Sequence, residues 1–219
     1  MSGGPTRVHA PPFGSGARAA LYRALTRGEP LAFPTETFYA LGGNALLPGL
    51  CARVFALKRR LAEKALLVLV DGERGLGDLA TEVPPAAEAL MAACWPGPLT
   101  LVLPAGPGTP PHLRDARGTV ALRWSPHPVV AELLRLGGVP LIGTSANPSG
   151  GAPARTLSEV LAGFPALPHA VDGGATPGGE PSTVLDASAL PFRLVRPGAV
   201  SLETIREGLA GRFPEAVPP

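Results

Sequence analysis

The sequence contains very little lysine. Only two of its nineteen basic residues, Lys58 and Lys64, are lysines, and all the others are arginines. With Arg59 and Arg60 they place four cations within seven residues. A lysine kept in so arginine-rich a chain suits a site for a compact ammonium, and the local positive field suits a polyphosphate. The same cluster is also typical of a solvated helix end, where basic side chains lie near the last carbonyls.

Cysteine and histidine are scarce as well. Cys51 and Cys94 are too few for a disulfide framework or a structural zinc site. The four histidines are never at metal-ligand spacing, so we expect no metal held by protein side chains alone. No apolar run reaches membrane-spanning length and no signal-like N-terminus is present, which predicts a cytoplasmic protein without membrane contact.

Aromatic residues make up 5% of the chain, which argues against RNA binding by base stacking. The net charge is only +2, but its distribution is uneven. Residues 1–64 hold nine Lys or Arg against three Asp or Glu, whereas the remainder holds ten against fourteen. This asymmetry predicts an anion site built from the N-terminal third of the chain.

Hydrophobic periodicity predicts helices that alternate with strands. Helices are expected over residues 15–28, 48–60, 84–94, 129–136, 156–162 and 201–212. Strands are expected over residues 31–33, 66–70, 99–103, 119–124, 139–142, 183–187 and 192–196. The pattern predicts a single α/β domain with a twisted mixed sheet flanked by helices. This domain should cover residues 15–212, with residues 1–14 and 213–219 loosely ordered.

Several polar segments interrupt this pattern. Residues 34–42 follow a buried strand and offer threonine and tyrosine hydroxyls to a small ligand, or a threonine to cap a helix. In residues 143–151, Ser145 and Asn147 alternate and could face the same way, although such a loop is often only a turn. Arg123 lies on an apolar strand and needs a partner, either a ligand or one of the later acidic residues.

In their order along the chain, these segments resemble the motifs of the YrdC-like family, the threonylcarbamoyl-AMP synthases. The motifs are PTETFYALG (34–42), Lys-x-Arg (Lys58 and Arg60), WPGPLTLVL (95–103), TVALR (119–123), Ser-x-Asn (Ser145 and Asn147), PSTVLD (181–186) and RPG (196–198). The resemblance implies a short, single-domain YrdC-like α/β fold with a basic concave face. It also implies that L-threonine, bicarbonate or CO2, and ATP are converted to threonylcarbamoyl-AMP and pyrophosphate, for threonylcarbamoyladenosine at position 37 of tRNA.

The resemblance also implies roles for individual residues. The residues expected on the ATP side are Lys58, Arg60, Lys64, Thr119, Asn147, Arg155 and Arg196. The residues expected to hold threonine are Thr37, Arg123, Ser145 and Ser182, with Arg123 as a bidentate clamp for the carboxylate. Lys58, Arg60, Ser145 and Asn147 are the catalytic candidates, and they would act by positioning because no side chain looks like a nucleophile. Mg²⁺ is expected to be bound mainly by the phosphates. Lys58 and Arg60 are expected to lie on an exposed helix end.

Some positions depart from the family pattern. Ala40, Leu61 and Ala65 replace a glycine and two prolines, and Leu69 stands where some relatives have a histidine near threonine. Two other functions stay open: a binding module for tRNA or double-stranded RNA without catalysis, and a carbamoyl-adenylate-forming domain. The expected partners are the small substrates and the downstream proteins that transfer the threonylcarbamoyl group to tRNA, with tRNA or double-stranded RNA as a further candidate.

Overall fold

A single mixed β-sheet organises the molecule. The computed structural model describes residues 6–59, 66–72, 75–209 and 211–218. The strands in these residues are β1 (Arg7–His9), β2 (Leu31–Pro34), β3 (Tyr39–Asn44), β4 (Leu67–Leu69), β5 (Leu99–Pro104), β6 (Thr119–Arg123), β7 (Leu141–Ser145), β8 (His169–Val171), β9 (Thr183–Asp186) and β10 (Arg193–Arg196). They are hydrogen-bonded in the order β1-β8-β2-β3-β7-β4-β6-β5-β9-β10. The sheet contains both parallel pairs, such as β4 with β6, and antiparallel pairs, such as β5 with β6.

The predicted helices are present, with shifts of a few residues at their ends. They are α1 (Ser15–Arg27), α2 (Pro48–Lys58), α3 (Pro85–Cys94), α4 (Pro128–Gly137), α5 (Leu157–Gly163) and α6 (Leu202–Leu209). Proline occupies the first turn of α2, α3 and α4, where the missing N–H costs no helical hydrogen bond. Among the described residues, no helix combines the length and apolarity needed to cross a membrane.

Two apolar clusters lie on the two faces of the sheet. One cluster contains the buried faces of α1 and α4 and packs on side chains such as Phe33 and Leu141. The other contains buried residues of α2, α3, α5 and α6 and packs on side chains such as Val68 and Leu101. Adjacent strand residues point to opposite faces, so Val68 and Leu69 belong to different clusters. On its face of the sheet, the α1–α4 pair lies over β2 and β3.

Three strands were not predicted from the sequence. β3 and β8 are buried at every position, so they lack the alternation of apolar and polar residues that marks a half-buried strand. β1 has three residues and pairs in parallel with β8, from Arg7 opposite His169 to His9 opposite Val171. β1 lies within residues 1–14, and a 3₁₀ turn at Pro214–Ala216 lies within residues 213–219. Both segments that were expected to be loosely ordered therefore contain regular structure.

Asp186, the last residue of β9, should make stability depend on acid pH. Burial raises the pKa of this carboxyl, but hydrogen bonds from Ser188 and Arg117 outweigh burial and lower the pKa from 3.8 to about 2. A group whose pKa is lowered in the folded state stabilises the fold at pH values above its unfolded pKa. This stabilisation is lost as the pH falls through the folded-state pKa. We expect Asp186→Asn to reduce the free energy of unfolding at pH 7 by about 1–2 kcal/mol.

Urea titrations from pH 7 down to pH 2.5 check this expectation. The difference between wild type and Asp186→Asn should be constant above about pH 5 and shrink below pH 4. Ser188→Ala, which removes one hydroxyl donor at 2.6 Å from Asp186, should give a smaller difference with the same pH dependence. A difference that grew on acidification would contradict the assigned hydrogen-bond network.

Candidate active site

A cavity lies over the sheet face that also carries α1 and α4, beside the region those helices cover. Its volume is about 360 Å³, within the range of small-molecule sites. Along β4 and β6 every second residue lines it, so the side chains of Leu67, Leu69, Ala121 and Arg123 project from one face. The last three residues of β7, Gly143, Thr144 and Ser145, also line the cavity. The described polar lining consists of Thr35, Thr37, Tyr39, Thr100, Arg123, Thr144, Ser145, Ser182 and Arg196.

Arg123 is the most deeply buried charge of the cavity wall. It is the last residue of β6 and is 3% exposed. Its Nη2 atom forms an ion pair with the Glu36 carboxylate, and its Nε donates to the Gly97 carbonyl oxygen at 3.2 Å. A side chain on Gly97 would meet the Cys94 carbonyl oxygen at 2.3 Å, so only glycine fits there. The alternative prediction of a later acidic partner for Arg123 is wrong, because Glu36 precedes it by 87 residues.

Arg196 contributes a second guanidinium to the cavity. It ends β10 and donates from Nε and Nη2 to the Ser182 carbonyl oxygen, at 3.2 and 2.6 Å. Nη2 also lies 3.0 Å from the Ser182 hydroxyl, which is 3.0 Å from that of Thr100. This contact depends on Gly198, because a Cβ atom there would lie 2.2 Å from the Pro181 carbonyl oxygen. The RPG and PSTVLD segments are thereby joined.

The two arginines make the cavity attractive to an anion. Burial, and then the positive charge of nearby Arg196, lower the pKa of Arg123 to about 10. Arg123 therefore remains cationic at neutral pH. Glu36 offsets one of the two charges, while Arg196 contacts only neutral oxygens in the described residues. A ligand carboxylate or phosphate would relieve the repulsion between the guanidinium groups and would accept hydrogen bonds in a partly dry site.

A tight turn carries the PTET motif into this site. Pro34 pairs with Tyr39, so residues 35–38 join β2 to β3 as a hairpin. The Thr35 hydroxyl donates to the Phe38 carbonyl oxygen at 2.7 Å and lies 3.1 Å from the Thr37 hydroxyl. The Tyr39 hydroxyl donates to the Gly174 carbonyl oxygen at 2.8 Å. The Thr35 hydroxyl therefore links the Thr37 side chain to the backbone of the turn at the cavity wall.

Lys58 joins the end of α2 to the loop that contains the Ser-x-Asn motif. Its Nζ atom donates to the Ser145 carbonyl oxygen and, at 2.9 Å, to that of Asn147. The Lys58 carbonyl oxygen accepts from the N–H and hydroxyl of Ser149, at 3.2 and 3.0 Å. The prediction of an exposed helix end is wrong for Lys58, which is 3% exposed. The loop folds over this side chain because its carbonyls replace water around the ammonium.

The Ser-x-Asn side chains point to different surroundings. Ser145 lines the cavity, whereas the Asn147 amide donates to the carbonyl oxygens of Pro148 and Gly151. The Asn147 Oδ1 atom is buried and accepts no hydrogen bond in the described part of the chain. An acceptor left without a donor inside a protein is costly. No described residue supplies that donor, and Asn147 does not belong to the described cavity lining.

The remaining predicted site residues lie around the cavity or outside the described residues. Thr119 is buried at the opposite end of β6 from Arg123 and on the same face. Arg155 is exposed and lies against Gly178. Neither belongs to the described cavity lining. Arg60 and Lys64, like the departures Leu61 and Ala65, lie outside the described residues.

Two residues at the site were not singled out from the sequence: Thr100, whose hydroxyl lines the cavity, and Glu36, which binds Arg123 from behind the wall. Thr35, one of the two threonines of residues 34–42, also brings a hydroxyl to the wall. All three belong to recognised motifs, which was the available signal. Leu69 is buried and its Cδ1 lies 2.7 Å from where a Cβ of Gly143 would be. Leu69 therefore contributes an apolar side chain to the cavity wall at the position where some relatives have a histidine.

No group of three or more His, Cys, Asp or Glu side chains in the described residues is arranged to hold a metal. The described cavity lining offers hydroxyl and guanidinium groups but no carboxylate. Such a donor set fits a metal ion that arrives bound to phosphates rather than one held by the protein.

Comparison with known proteins gives consistent matches. The model of the Sua5, YciO and YrdC proteins, described as "Telomere recombination", matches residues 23–198. The threonylcarbamoyl-AMP synthase of Thiobacillus denitrificans is 39% identical over 171 residues, which cover 78% of this chain and 91% of that protein. The threonylcarbamoyl-AMP synthase of Pyrococcus abyssi is 38% identical over 184 residues, which cover 84% of this chain and 54% of that protein. The chain thus spans about half the length of the Pyrococcus relative.

A solved structure supports the same relationship. The crystal structure of P. abyssi Sua5 complexed with L-threonine superposes with a TM-score of 0.86 at 34% sequence identity. The match covers 93% of this chain and 60% of that protein.

Proposed function

Because the chain belongs to the Sua5/YciO/YrdC family, we propose that it is a threonylcarbamoyl-AMP synthase that uses L-threonine, bicarbonate or CO2, and ATP. One observation carries this proposal: the cavity combines two guanidinium groups, Arg123 and Arg196, with the hydroxyls of Thr37, Ser145 and Ser182. A small zwitterion with a hydroxyl side chain and a phosphate-bearing partner match these groups. The alternatives of a non-catalytic RNA-binding module and a carbamoyl-adenylate-forming domain have no comparable support.

Threonine would bind with its carboxylate on Arg123. This guanidinium is buried, fixed by Glu36 and Gly97, and faces the cavity. The hydroxyls of Thr37, Ser145 and Ser182 would contact the amine and the side-chain hydroxyl. The apolar wall, which includes Leu67 and Leu69, is suited to the threonine methyl group.

ATP would contact Arg196 at the end of β10 and the Ser-x-Asn loop at the end of β7. Lys58 and Arg60 would hold the phosphates, and Asn147 would contact the nucleotide. Lys64, Thr119 and Arg155 complete the proposed ATP set. Mg²⁺ held mainly by the phosphates would offset their negative charge and polarise the α-phosphoryl group.

The chemistry requires two anions to meet. The neutral threonine amine adds to CO2 with loss of a proton, or to bicarbonate with loss of water, and gives a carbamate. A carbamate oxygen then forms a bond to the α-phosphorus, and the bond from that phosphorus to the bridging oxygen of pyrophosphate breaks. Fixed cations around the phosphates would reduce the repulsion and stabilise the charge that develops. Orientation by Arg123 would supply much of the remaining rate.

Pyrophosphate release tests this function. We expect the wild-type protein to release pyrophosphate from ATP only when L-threonine and bicarbonate are both present. L-Serine should be a poorer substrate by about 1–3 kcal/mol in kcat/KM, because it lacks one methyl group. A coupled pyrophosphate assay with each substrate omitted in turn measures this. Equal turnover without threonine would contradict the proposal.

The product needs a consumer, because a mixed carbamic–phosphoric anhydride hydrolyses in water. A downstream protein that transfers the threonylcarbamoyl group to adenosine 37 of tRNA would be the functional partner. Direct contact of this chain with tRNA or double-stranded RNA would require a basic face, and residues 1–64 carry an excess of positive charge in the sequence.

A further inference from the structure

Glu36 binds the Arg123 guanidinium from outside the cavity. It lies in the turn between β2 and β3, and its carboxylate accepts hydrogen bonds from Arg123 Nη2 and, at 2.5 Å, from the Ser125 hydroxyl. Neither Glu36, Ser125 nor Gly97 belongs to the described lining, whereas Arg123 does. The carboxylate therefore contacts one side of the guanidinium while another side is directed into the cavity.

The contacts of Arg123 fix its orientation. Nε donates to the carbonyl oxygen of Gly97 and Nη2 donates to Glu36, while Nη1 donates no hydrogen bond within the described residues. The Ser125 hydroxyl, itself buried, holds the second carboxylate oxygen of Glu36. A guanidinium fixed along its Nε–Nη2 edge holds its other edge, formed by Nη1 and the second hydrogen of Nη2, in one direction, and that edge offers the two parallel N–H donors that bidentate carboxylate binding requires.

We propose that Glu36 is a positioning residue for substrate binding: it orients Arg123 so that the free end of the guanidinium receives the carboxylate of threonine. This rests on the proposed function, since threonine is the ligand. Glu36 carries the opposite charge to the site, so its electrostatic effect alone weakens anion binding. Positioning and electrostatics therefore predict opposite signs for the removal of this carboxylate.

Calorimetric titration separates the two effects. L-Threonine and ATP are each titrated into wild type, Glu36→Ala and Glu36→Gln. Positioning predicts that Glu36→Ala raises the Kd for L-threonine by about tenfold or more, with the Kd for ATP unchanged within about twofold. Glu36→Gln keeps an oxygen acceptor of the same shape and should raise the Kd for L-threonine by only about threefold. A threonine Kd that stays unchanged or falls in Glu36→Ala overturns the proposal.

Glu29→Ala is the matched control. Its carboxylate also accepts a hydrogen bond from a buried side chain, that of His169, at 2.8 Å, but it does not belong to the described cavity lining. Its threonine Kd should equal that of wild type. If Glu36→Ala does not fold, the rise in Glu36→Gln decides the question, and an unchanged Kd there overturns the proposal. Wild type that fails to bind L-threonine would overturn the proposed function itself, whereas normal wild-type binding with unaffected Glu36 variants overturns only the role of Glu36.

Discussion

Lys58→Ala should reduce pyrophosphate release at least about 100-fold, the effect of removing one preorganised charge from a site of developing charge. The variant should also unfold more easily by about 1–3 kcal/mol, because the carbonyl oxygens of Ser145 and Asn147 lose the buried ammonium that donates to them. This exceeds the stability change expected for an exposed lysine. Initial rates with saturating substrates and urea unfolding measure the two quantities.

Ser149→Ala is the control for Lys58→Ala. It removes a hydroxyl that donates to the Lys58 carbonyl oxygen at 3.0 Å, so it loosens the same junction between helix and loop without removing a charge. It should lower stability by about 0.5–1.5 kcal/mol and leave turnover near that of wild type. The role of the ammonium would be structural if Lys58→Ala kept wild-type turnover. The same would follow if Ser149→Ala reduced turnover as strongly as Lys58→Ala does.

Arg123→Lys should raise the Kd for L-threonine by about one to two orders of magnitude, which corresponds to the loss of a charged hydrogen bond worth ~1.5–3 kcal/mol. Lysine keeps the positive charge but lacks the planar fork that holds Glu36 and a ligand carboxylate together. ATP affinity should change little. Calorimetry with L-threonine, in the presence of a non-hydrolysable ATP analogue, measures the effect.

Arg117→Lys is the matched control for this substitution. Arg117 also uses its fork on carboxylates, those of Asp115 and Asp186, but it is half exposed and outside the described lining. It should lower stability without altering threonine affinity. An Arg123→Lys protein that bound threonine as wild type does would assign Arg123 to the structural ion pair with Glu36 alone.

The helices were easier to predict than the strands because their ends carry local signals. Gly28 and Gly138 end α1 and α4 in left-handed conformations, with φ of 63° and 62°, as glycine at a helix end predicts. β3 and β8 carry no such signal. Both strands are buried at every position, so burial produces no alternation of apolar and polar residues, and the two glycines of β3 make its sequence resemble a loop.

The site was predictable to the extent that it consists of side chains in recognisable motifs. Its geometry depends on strands that are distant in sequence, since β5 pairs with β9 and so brings Thr100 beside Ser182. Contacts to backbone carbonyls leave no trace in the sequence, because any residue supplies them. For this reason the burial of Lys58 against the loop of Ser145 could not be predicted from the residues alone.

The most direct test of the function is to identify the product. The protein is incubated with ATP, Mg²⁺, L-threonine and ¹⁴C-labelled bicarbonate, and the nucleotides are separated by chromatography and identified by mass. We expect label in threonylcarbamoyl-AMP, formed together with pyrophosphate in equal amount, and no labelled nucleotide when threonine is omitted. ATP consumption without labelled threonylcarbamoyl-AMP would contradict the proposed function.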